Sequence, residues 1–183
     1  HIDGEYRKAY LERPHELLTE PVVEEVFNEP LNYVTNKTGD NMIQIGLPIT
    51  RANGPVRGLF FFLRRNAVRL HNDWTNYSAV LTNEVDPVWN PVRPLMKRAQ
   101  LMVGTAVWVD EEERWWRASS QLVLPGGIRG YNSYIYGYHF NEKPTAFSPS
   151  GSVNASVVDM RLNLTVQPPG GEKDGEWTVS VFI

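Results

Sequence analysis

The sequence predicts an all-β fold, an antiparallel β-sandwich, and three observations support this prediction. In residues 158–167 apolar side chains alternate strictly with polar ones, which is typical of an antiparallel strand with one buried face. In residues 134–140 aromatic side chains recur at every second position, so they project to one side of a strand. The rest of the chain consists largely of short strand-like runs separated by glycine, proline and asparagine.

Residues 1–30 show no comparable strand pattern. Pro14, Pro21 and Pro30 interrupt any long helix, so we predict a connector or arm with one short helix over residues 22–28. The β-domain is expected to occupy residues 31–183.

The strands of this domain can be placed in order along the chain. Residues 42–49 form a candidate strand, and the apolar run 56–63 predicts a strand that is buried on both faces. Residues 99–109 predict one long strand, and residues 177–183 alternate as a last strand. Glycine and proline predict turns or loops at residues 53–55, 86–95, 125–130 and 167–175.

One helix is expected within the domain. The spacing of aromatic and leucine side chains in residues 114–122 predicts a short helix, and the acidic run 110–113 precedes it. These consecutive acids lack the spacing of a calcium loop. We therefore interpret them as a solvated helix N-terminus.

Composition restricts the class of protein. The chain has 183 residues, enough for one domain with a sizeable core, and it contains no cysteine, which excludes disulfides and thiolate metal sites. The formal net charge of −3 and pI near 5.8 argue against direct nucleic acid binding. No apolar run approaches the roughly 18 residues of a membrane span.

The sequence does not predict a catalytic or metal centre. No two histidines have the His-x-His spacing of a metal-binding cupin, and no nucleophile-elbow pattern accompanies the serines. Arg64, Arg65 and Arg69 form a basic cluster of the size expected for a salt-bridged strand end. We therefore expect no enzyme activity, no metal and no cofactor.

Aromatic side chains are the remaining candidates for function. Trp89, Trp115 and Trp116 lie in a predicted loop and a predicted helix, and we interpret them as interface or surface aromatics. Exposed rings of this kind also bind sugars. An alternative function is therefore a carbohydrate-binding β-sandwich, such as a host-attachment or lectin-like module. A β-sandwich hydrolase is a third class, but the acids at 111–113 are too local to form its carboxylate pair.

Two segments resemble the C-terminal jelly-roll of the major capsid proteins of nucleocytoplasmic large DNA viruses, the group that includes iridoviruses, phycodnaviruses and asfarviruses. One is the run 55–65 followed by 72–77, where a basic-hydrophobic strand precedes a Trp/Asn/Tyr segment. The other has a Pro-Ser-Gly-Ser-x-Asn-x-Ser pattern, matched by Pro149, Ser150, Gly151, Ser152, Asn154 and Ser156.

The residues of the second segment are interpreted as a structural motif without chemistry. Pro149 fixes its φ, Gly151 is able to take a positive φ, and the serines and Asn154 can bond nearby backbone groups where the chain reverses.

The resemblance implies an eight-stranded viral jelly-roll, the second half of a double jelly-roll whose first half is absent from this chain. It also implies a structural capsid subunit that forms pseudo-hexagonal homotrimers and tiles an icosahedral shell. The implied partners are neighbouring capsomers and minor capsid proteins. The resemblance further implies an inner membrane that lies nearby and is not entered by the chain. The implied location is the virion, assembled in the host cytoplasm.

Overall fold

A computed structural model describes residues 21–29, 37–38, 42–123, 134–142, 150–167 and 177–183, together with positions 4, 8, 11 and 12. Within these residues the chain forms eleven β-strands, the α-helix α1, Glu113–Val123, and two short 3-10 helices, and positions 4, 8, 11 and 12 are also helical. The strands are β1 Glu24–Glu29, β2 Lys37–Thr38, β3 Met42–Ile49, β4 Pro55–Val56, β5 Gly58–Arg65, β6 Met96–Val103, β7 Ala106–Glu112, β8 Ile135–His139, β9 Val153–Asn154, β10 Met160–Val166 and β11 Trp177–Phe182.

The strand order is that of a jelly-roll. One sheet has the order β1-β11-β5-β8 and the other β2-β3-β10-β6-β7, and every pairing is antiparallel. Eight of the described strands have five or more residues. In chain order these eight pair from the outside inward. β1 pairs with β11, β3 with β10, β5 with β8, and β6 with β7. This nested arrangement confirms the predicted antiparallel β-sandwich with a jelly-roll fold.

The inner faces of the two sheets form one hydrophobic core. Alternate residues of β5 and β10 are buried, as the period of two in their sequences predicts. Each fully buried aliphatic or aromatic side chain stabilises the fold by about 1.5–3 kcal/mol. The core includes Leu47, Leu59, Phe61, Leu63, Leu101, Leu162, Leu164, Val179 and Val181.

The predicted helix over residues 22–28 was wrong. Residues Glu24–Glu29 form β1, which pairs along its full length with β11. The side chains of this segment alternate between the two faces of a strand, since Glu25 and Phe27 face inward whereas Val26 is exposed. This part of the expected connector therefore belongs to the sandwich.

The predicted long strand over residues 99–109 was also wrong. The chain reverses at Gly104, where φ is +61°, and β6 and β7 pair as a hairpin on either side of it. A positive φ is available to glycine at low cost, so this residue permits the tight turn.

The apolar run of β5 is buried on one face and half-covered on the other. Leu59, Phe61 and Leu63 are buried, whereas Phe60 and Phe62 are only partly buried. The prediction of burial on both faces therefore holds for the core face alone.

The predicted helix after the acidic run is confirmed as α1, but the acids are placed differently. Residues 110–112 end β7, and Glu113 opens the helix and is buried. The interpretation of all four acids as a solvated helix N-terminus was therefore wrong. The expected turn at 125–130 lies outside the described residues, as does all of the 167–175 turn beyond Gln167.

Candidate functional site

The first described residues of the motif at 149–156, Ser150 and Gly151, lie against the end of β8. Pro149 lies outside the described residues, and Ser150 donates a hydrogen bond from its Oγ to Asn141 Oδ1. Gly151 lies so close to the carbonyl of Phe140 that a Cβ atom would clash with its oxygen. Gly54 and Gly104 have positive φ angles, but Gly151 does not. The expected reason for this glycine was therefore wrong, since the requirement is close approach to backbone.

The second half of the motif holds the turn at residues 53–55. Ser156 Oγ donates to Asn53 Oδ1 at 2.6 Å and accepts from the Gly54 N–H at 2.8 Å. Asn154 Oδ1 accepts from the Ser156 N–H at 3.1 Å. Strand β9 pairs with β4, and both Ser152 and Asn154 are exposed. These contacts connect two loops and place no reactive group beside another.

The connection between β5 and β6, residues 66–95, is organised by Asp73. Its carboxylate accepts hydrogen bonds from Thr82 N and Thr82 Oγ1, both at 2.8 Å, and from Asn76 Nδ2 at 2.7 Å. The connection contains the 3-10 helices Asn66–Arg69 and Thr82–Glu84. A single carboxylate therefore ties together positions nine residues apart.

Arg65 anchors the same connection to the sandwich. This buried arginine donates from Nη1 to Glu84 Oε2 at 2.9 Å and to the Ala79 carbonyl at 3.1 Å. The expected salt bridge at this strand end is confirmed for Arg65. The sequence analysis identified neither Asp73 nor Glu84, because the hydrogen bonds of these two carboxylates depend on how the connection folds.

The stability of this connection is expected to fall at acid pH. Burial alone raises the pKa of Asp73, but hydrogen bonds from Thr82 and Asn76 outweigh it, so the pKa lies below the ordinary value of 3.8. Burial also raises the pKa of Glu84, but the hydrogen bond from Arg65 lowers it, and the net effect is a lowered pKa. A carboxylate with a depressed pKa stabilises the fold above its unfolded pKa, and this contribution is lost as the pH falls through the folded pKa.

Hydrogen–deuterium exchange of residues 66–95, corrected for intrinsic rates, is expected to show increasing local opening between about pH 5 and pH 2. Asp73→Asn should reduce this pH dependence, whereas Glu111→Gln on an exposed strand end is the matched control and should leave it unchanged. Protection that stays constant over this range would contradict the assigned role of the two carboxylates.

Trp89 is exposed on a turn that is closed by hydrogen bonds of Asp86 and Asn90. Asp86 Oδ1 accepts hydrogen bonds from the N–H groups of Val88 at 2.8 Å and Trp89 at 3.1 Å, and these two bonds lower the pKa of Asp86. Asp86 and Asn90 exchange two backbone hydrogen bonds, which close the turn. Val88 is 75% exposed and Trp89 is 86% exposed. An apolar tip on a closed turn is suited to binding, because little conformational freedom remains to be lost.

The two helical tryptophans have different environments. Trp115 is 39% exposed, which agrees with a surface position, but Trp116 is fully buried. The Trp116 Nε1–H donates to the Ala99 carbonyl at 3.0 Å, and its ring makes an edge contact with Phe61. Trp116 is therefore a core residue, and its predicted surface role was wrong.

A buried polar cluster fixes α1 to the four-stranded sheet. Glu113 accepts a hydrogen bond from Tyr136 Oη at 3.3 Å and forms an ion pair with Arg117, whose Nε lies 3.3 Å from Glu113 Oε1. The Arg117 guanidinium lies 5.6 Å from the centre of the Tyr134 ring. Burial raises the pKa of Glu113, although the positive charge of Arg117 opposes this, and burial raises the pKa of Tyr136. The cluster joins the helix to β8.

The described residues bring together neither a metal-ligand cluster nor a membrane-spanning helix. No group of three or more metal-ligating side chains lies together in this part of the chain. No helix formed by the described residues is long and apolar enough to span a bilayer.

Solved structures that share this fold include capsid proteins of large DNA viruses. The PBCV-1 virus capsid matches with a TM-score of 0.69 and 14% identity, covering 98% of this chain and 50% of that chain. PBCV-1 VP54, fitted into a reconstruction of the virophage Sputnik, matches with a TM-score of 0.68 and 13% identity over the same shares. The Faustovirus major capsid protein matches with a TM-score of 0.60 and 12% identity, covering 88% of this chain and 31% of that chain.

These comparisons confirm at the level of fold the resemblance to the jelly-roll of large DNA virus major capsid proteins. The chain spans half or less of the length of these structures. No protein-family model matches the sequence, and no curated protein does.

Proposed function

We propose that this chain is a jelly-roll of a major capsid protein of a large DNA virus, with a structural role and no catalysis. The observation that carries the proposal is the nested pairing of eight strands, a fold shared with PBCV-1 VP54 over 98% of the chain. A sandwich with one continuous core is a rigid building block, and shell assembly requires contact area rather than reactive groups.

The finer proposal concerns the assembly. The chain is the second jelly-roll of its subunit, which forms pseudo-hexagonal homotrimers that tile an icosahedral shell in the virion. Neighbouring capsomers and minor capsid proteins are its partners, the shell is assembled in the host cytoplasm, and the inner membrane lies nearby without being entered. A formal net charge of −3 supports a role without direct genome contact.

The mass of the full gene product in solution tests this proposal. Light scattering over a range of concentrations is expected to show a stable trimer, and electron microscopy should then show pseudo-hexagonal particles. A full gene product that remains monomeric at every concentration would overturn the proposal.

Substituting Trp89 with alanine is expected to weaken subunit association while leaving the fold intact. An exposed aromatic side chain that becomes buried near the centre of an interface often contributes about 2 kcal/mol or more, so the dissociation constant should rise by roughly thirtyfold or more. Association is measured by light scattering, and the thermal unfolding midpoint should be unchanged because the ring is exposed in the isolated chain. Wild-type association by the variant would exclude Trp89 from the interface.

The exposed Trp89 also gives the carbohydrate-binding alternative its remaining support. A sugar platform made of Trp89, Trp115 and Trp116 is not available, since Trp116 is buried. A monomeric gene product that binds a glycan array through Trp89 would favour this alternative over the capsid role.

A further inference from the structure

Asn53 and Gly54 form the only Asn-Gly pair in the sequence. An asparagine that precedes glycine is prone to deamidation, because glycine has no Cβ to hinder the approach of its backbone nitrogen to the side-chain amide. Asn53 is exposed, so water reaches its side chain. Gly54 has a φ of +85°, a conformation that favours glycine at this position. The pair therefore meets the chemical requirements of a deamidation site.

The reaction needs water and no other reactant. A bond forms between the Gly54 nitrogen and Asn53 Cγ, the bond from Cγ to Nδ2 breaks, and Nδ2 leaves as ammonia with the proton of the Gly54 N–H. Water then adds to either carbonyl carbon of the resulting succinimide and opens the ring. One opening gives aspartate, and the other gives isoaspartate, in which the main chain passes through the former side chain.

One hydroxyl group binds both parts of this reaction. Ser156 Oγ accepts a hydrogen bond from the Gly54 N–H at 2.8 Å and donates one to Asn53 Oδ1 at 2.6 Å. In the succinimide ring the Gly54 nitrogen and the Asn53 oxygen are bonded to the same carbon atom. A single hydroxyl cannot keep two near-linear hydrogen bonds across so short a gap. Ring closure therefore requires the loss of at least one of these bonds.

The surrounding backbone holds Gly54 and Ser156 in this arrangement. The Gly54 carbonyl accepts a hydrogen bond from the Ala155 N–H at 2.8 Å, so both backbone polar groups of the glycine are bound by the segment 155–156. Asn154 Oδ1 accepts from the Ser156 N–H at 3.1 Å, and Asn154 pairs with Pro55 between β9 and β4. The serine is therefore fixed from both sides of the contact.

We propose that Asn53 is a deamidation site and that Ser156 suppresses succinimide formation there by hydrogen bonding the attacking nitrogen and the amide oxygen. This assigns a chemical role to the last serine of the motif at 149–156. The proposal goes beyond the capsid role and does not depend on it, because it follows from the chemistry of an Asn-Gly pair and from the contacts of one hydroxyl.

The modification would weaken the contact that the motif makes. Isoaspartate at position 53 adds one atom to the main chain directly before Gly54 and replaces the side-chain amide with a free carboxylate. The extra atom displaces the Gly54 N–H from Ser156 and disturbs the pairing of Pro55 with Asn154. Deamidation would therefore loosen the connection between the turn at 53–55 and the segment 154–156.

Peptide mass spectrometry of the 183-residue chain tests the proposal. The chain is incubated in heavy-oxygen water at mildly alkaline pH, so that ring opening labels only the product formed during incubation. Trypsin cleaves after Arg51 and Arg57 and releases residues 52–57, in which Asn53 is the only asparagine. We expect clearly slower deamidation at position 53 in the folded chain than in the same chain unfolded by urea.

Substitution of Ser156 separates the contribution of its hydroxyl from that of the fold. Ser156→Ala removes both hydrogen bonds and should raise the deamidation rate of the folded chain by roughly tenfold. Ser156→Thr keeps a hydroxyl and should remain within a few-fold of wild type. Ser152→Ala, at an exposed serine of the same motif, is the matched control and should leave the rate unchanged. In urea all of these chains should deamidate at the same rate.

Asn163 on β10 provides an internal reference in every sample. A local effect of Ser156→Ala leaves deamidation at Asn163 unchanged, whereas an acceleration at both positions would show general unfolding and would overturn the proposal. A wild-type chain that deamidates at position 53 as fast when folded as in urea overturns it as well. So does a Ser156→Ala variant that reacts at the wild-type rate or more slowly, since a slower rate would mean that the hydroxyl assists ring closure.

Discussion

Replacing Trp116 with alanine is expected to lower the free energy of unfolding by about 3–5 kcal/mol, the usual cost of removing a buried large aromatic side chain. The ring is fully buried and contacts Phe61 and Tyr138, with ring centres 5.4 Å and 6.3 Å away. The substitution also removes the hydrogen bond to the buried Ala99, whose carbonyl would lose this partner. Both effects act in the same direction, which places this variant among the most destabilising single changes.

Urea denaturation followed by far-ultraviolet circular dichroism measures the effect without relying on tryptophan fluorescence. Trp115→Ala is the matched control, since the neighbouring ring is partly exposed and should cost clearly less. If Trp116→Ala does not fold, Trp116→Phe keeps most of the ring and should lose about 1–2 kcal/mol through the missing N–H donor. Equal losses for the two alanine variants would contradict the assignment of Trp116 to the core.

The difference between these two tryptophans shows what the sequence can and cannot specify. Adjacent residues of a helix point about 100° apart, so only one of Trp115 and Trp116 can face the sheet directly. Glu113, Trp116 and Arg117 share one helix face at the i, i+3, i+4 spacing, and all three contact the sandwich. That spacing was visible in the sequence. The direction in which the face points was not, because it depends on where β6 and β8 lie.

Strands in which apolar and polar residues alternate clearly were predicted well. The wrong helix prediction fell on a strand whose conformation depends on a partner strand far away in the sequence. Strands β3, β10 and β11 carry their own period of two. Strand β1 has the same six-residue length as β11, but its sequence alternates less clearly, and its conformation depends on pairing with β11. Strand propensity reflects such packing more than local backbone preference, so a helix was predicted there.

The hairpin of β6 and β7 was missed for a different reason. Gly104 stands within an otherwise regular alternation, and Thr105 after it has high strand propensity, so the pattern suggests one continuous strand. An isolated glycine in a strand pattern is nevertheless a signal of a turn or bulge, and here its φ of +61° confirms a turn. The nested order of the sheets was expected from the family resemblance and not from periodicity, because strand periodicity carries no information on partners.

Replacing Gly151 with alanine is expected to lower the free energy of unfolding by about 1–3 kcal/mol, the usual cost of overpacking. The new Cβ would clash with the Phe140 carbonyl oxygen, which belongs to backbone and cannot move alone. The N–H of Phe140 donates to the Arg57 carbonyl at 2.9 Å, and Asn141 beside it is buried. Relief of the clash would therefore displace the end of β8 or the segment that carries the serine motif.

A smaller effect on the unfolded chain opposes this loss of stability, and the balance of the two sets the sign of the change in the free energy of unfolding. Alanine restricts the unfolded chain more than glycine does, which stabilises a protein by about 0.4–1 kcal/mol where the native conformation accepts it. The clash outweighs that gain, so net destabilisation is expected in chemical denaturation. Ser152→Ala is the matched control, because Ser152 is exposed next to Gly151 and should change stability by less than about 0.5 kcal/mol. A Gly151→Ala variant as stable as Ser152→Ala would show that the motif tolerates a side chain at this contact, and the glycine would then require another explanation.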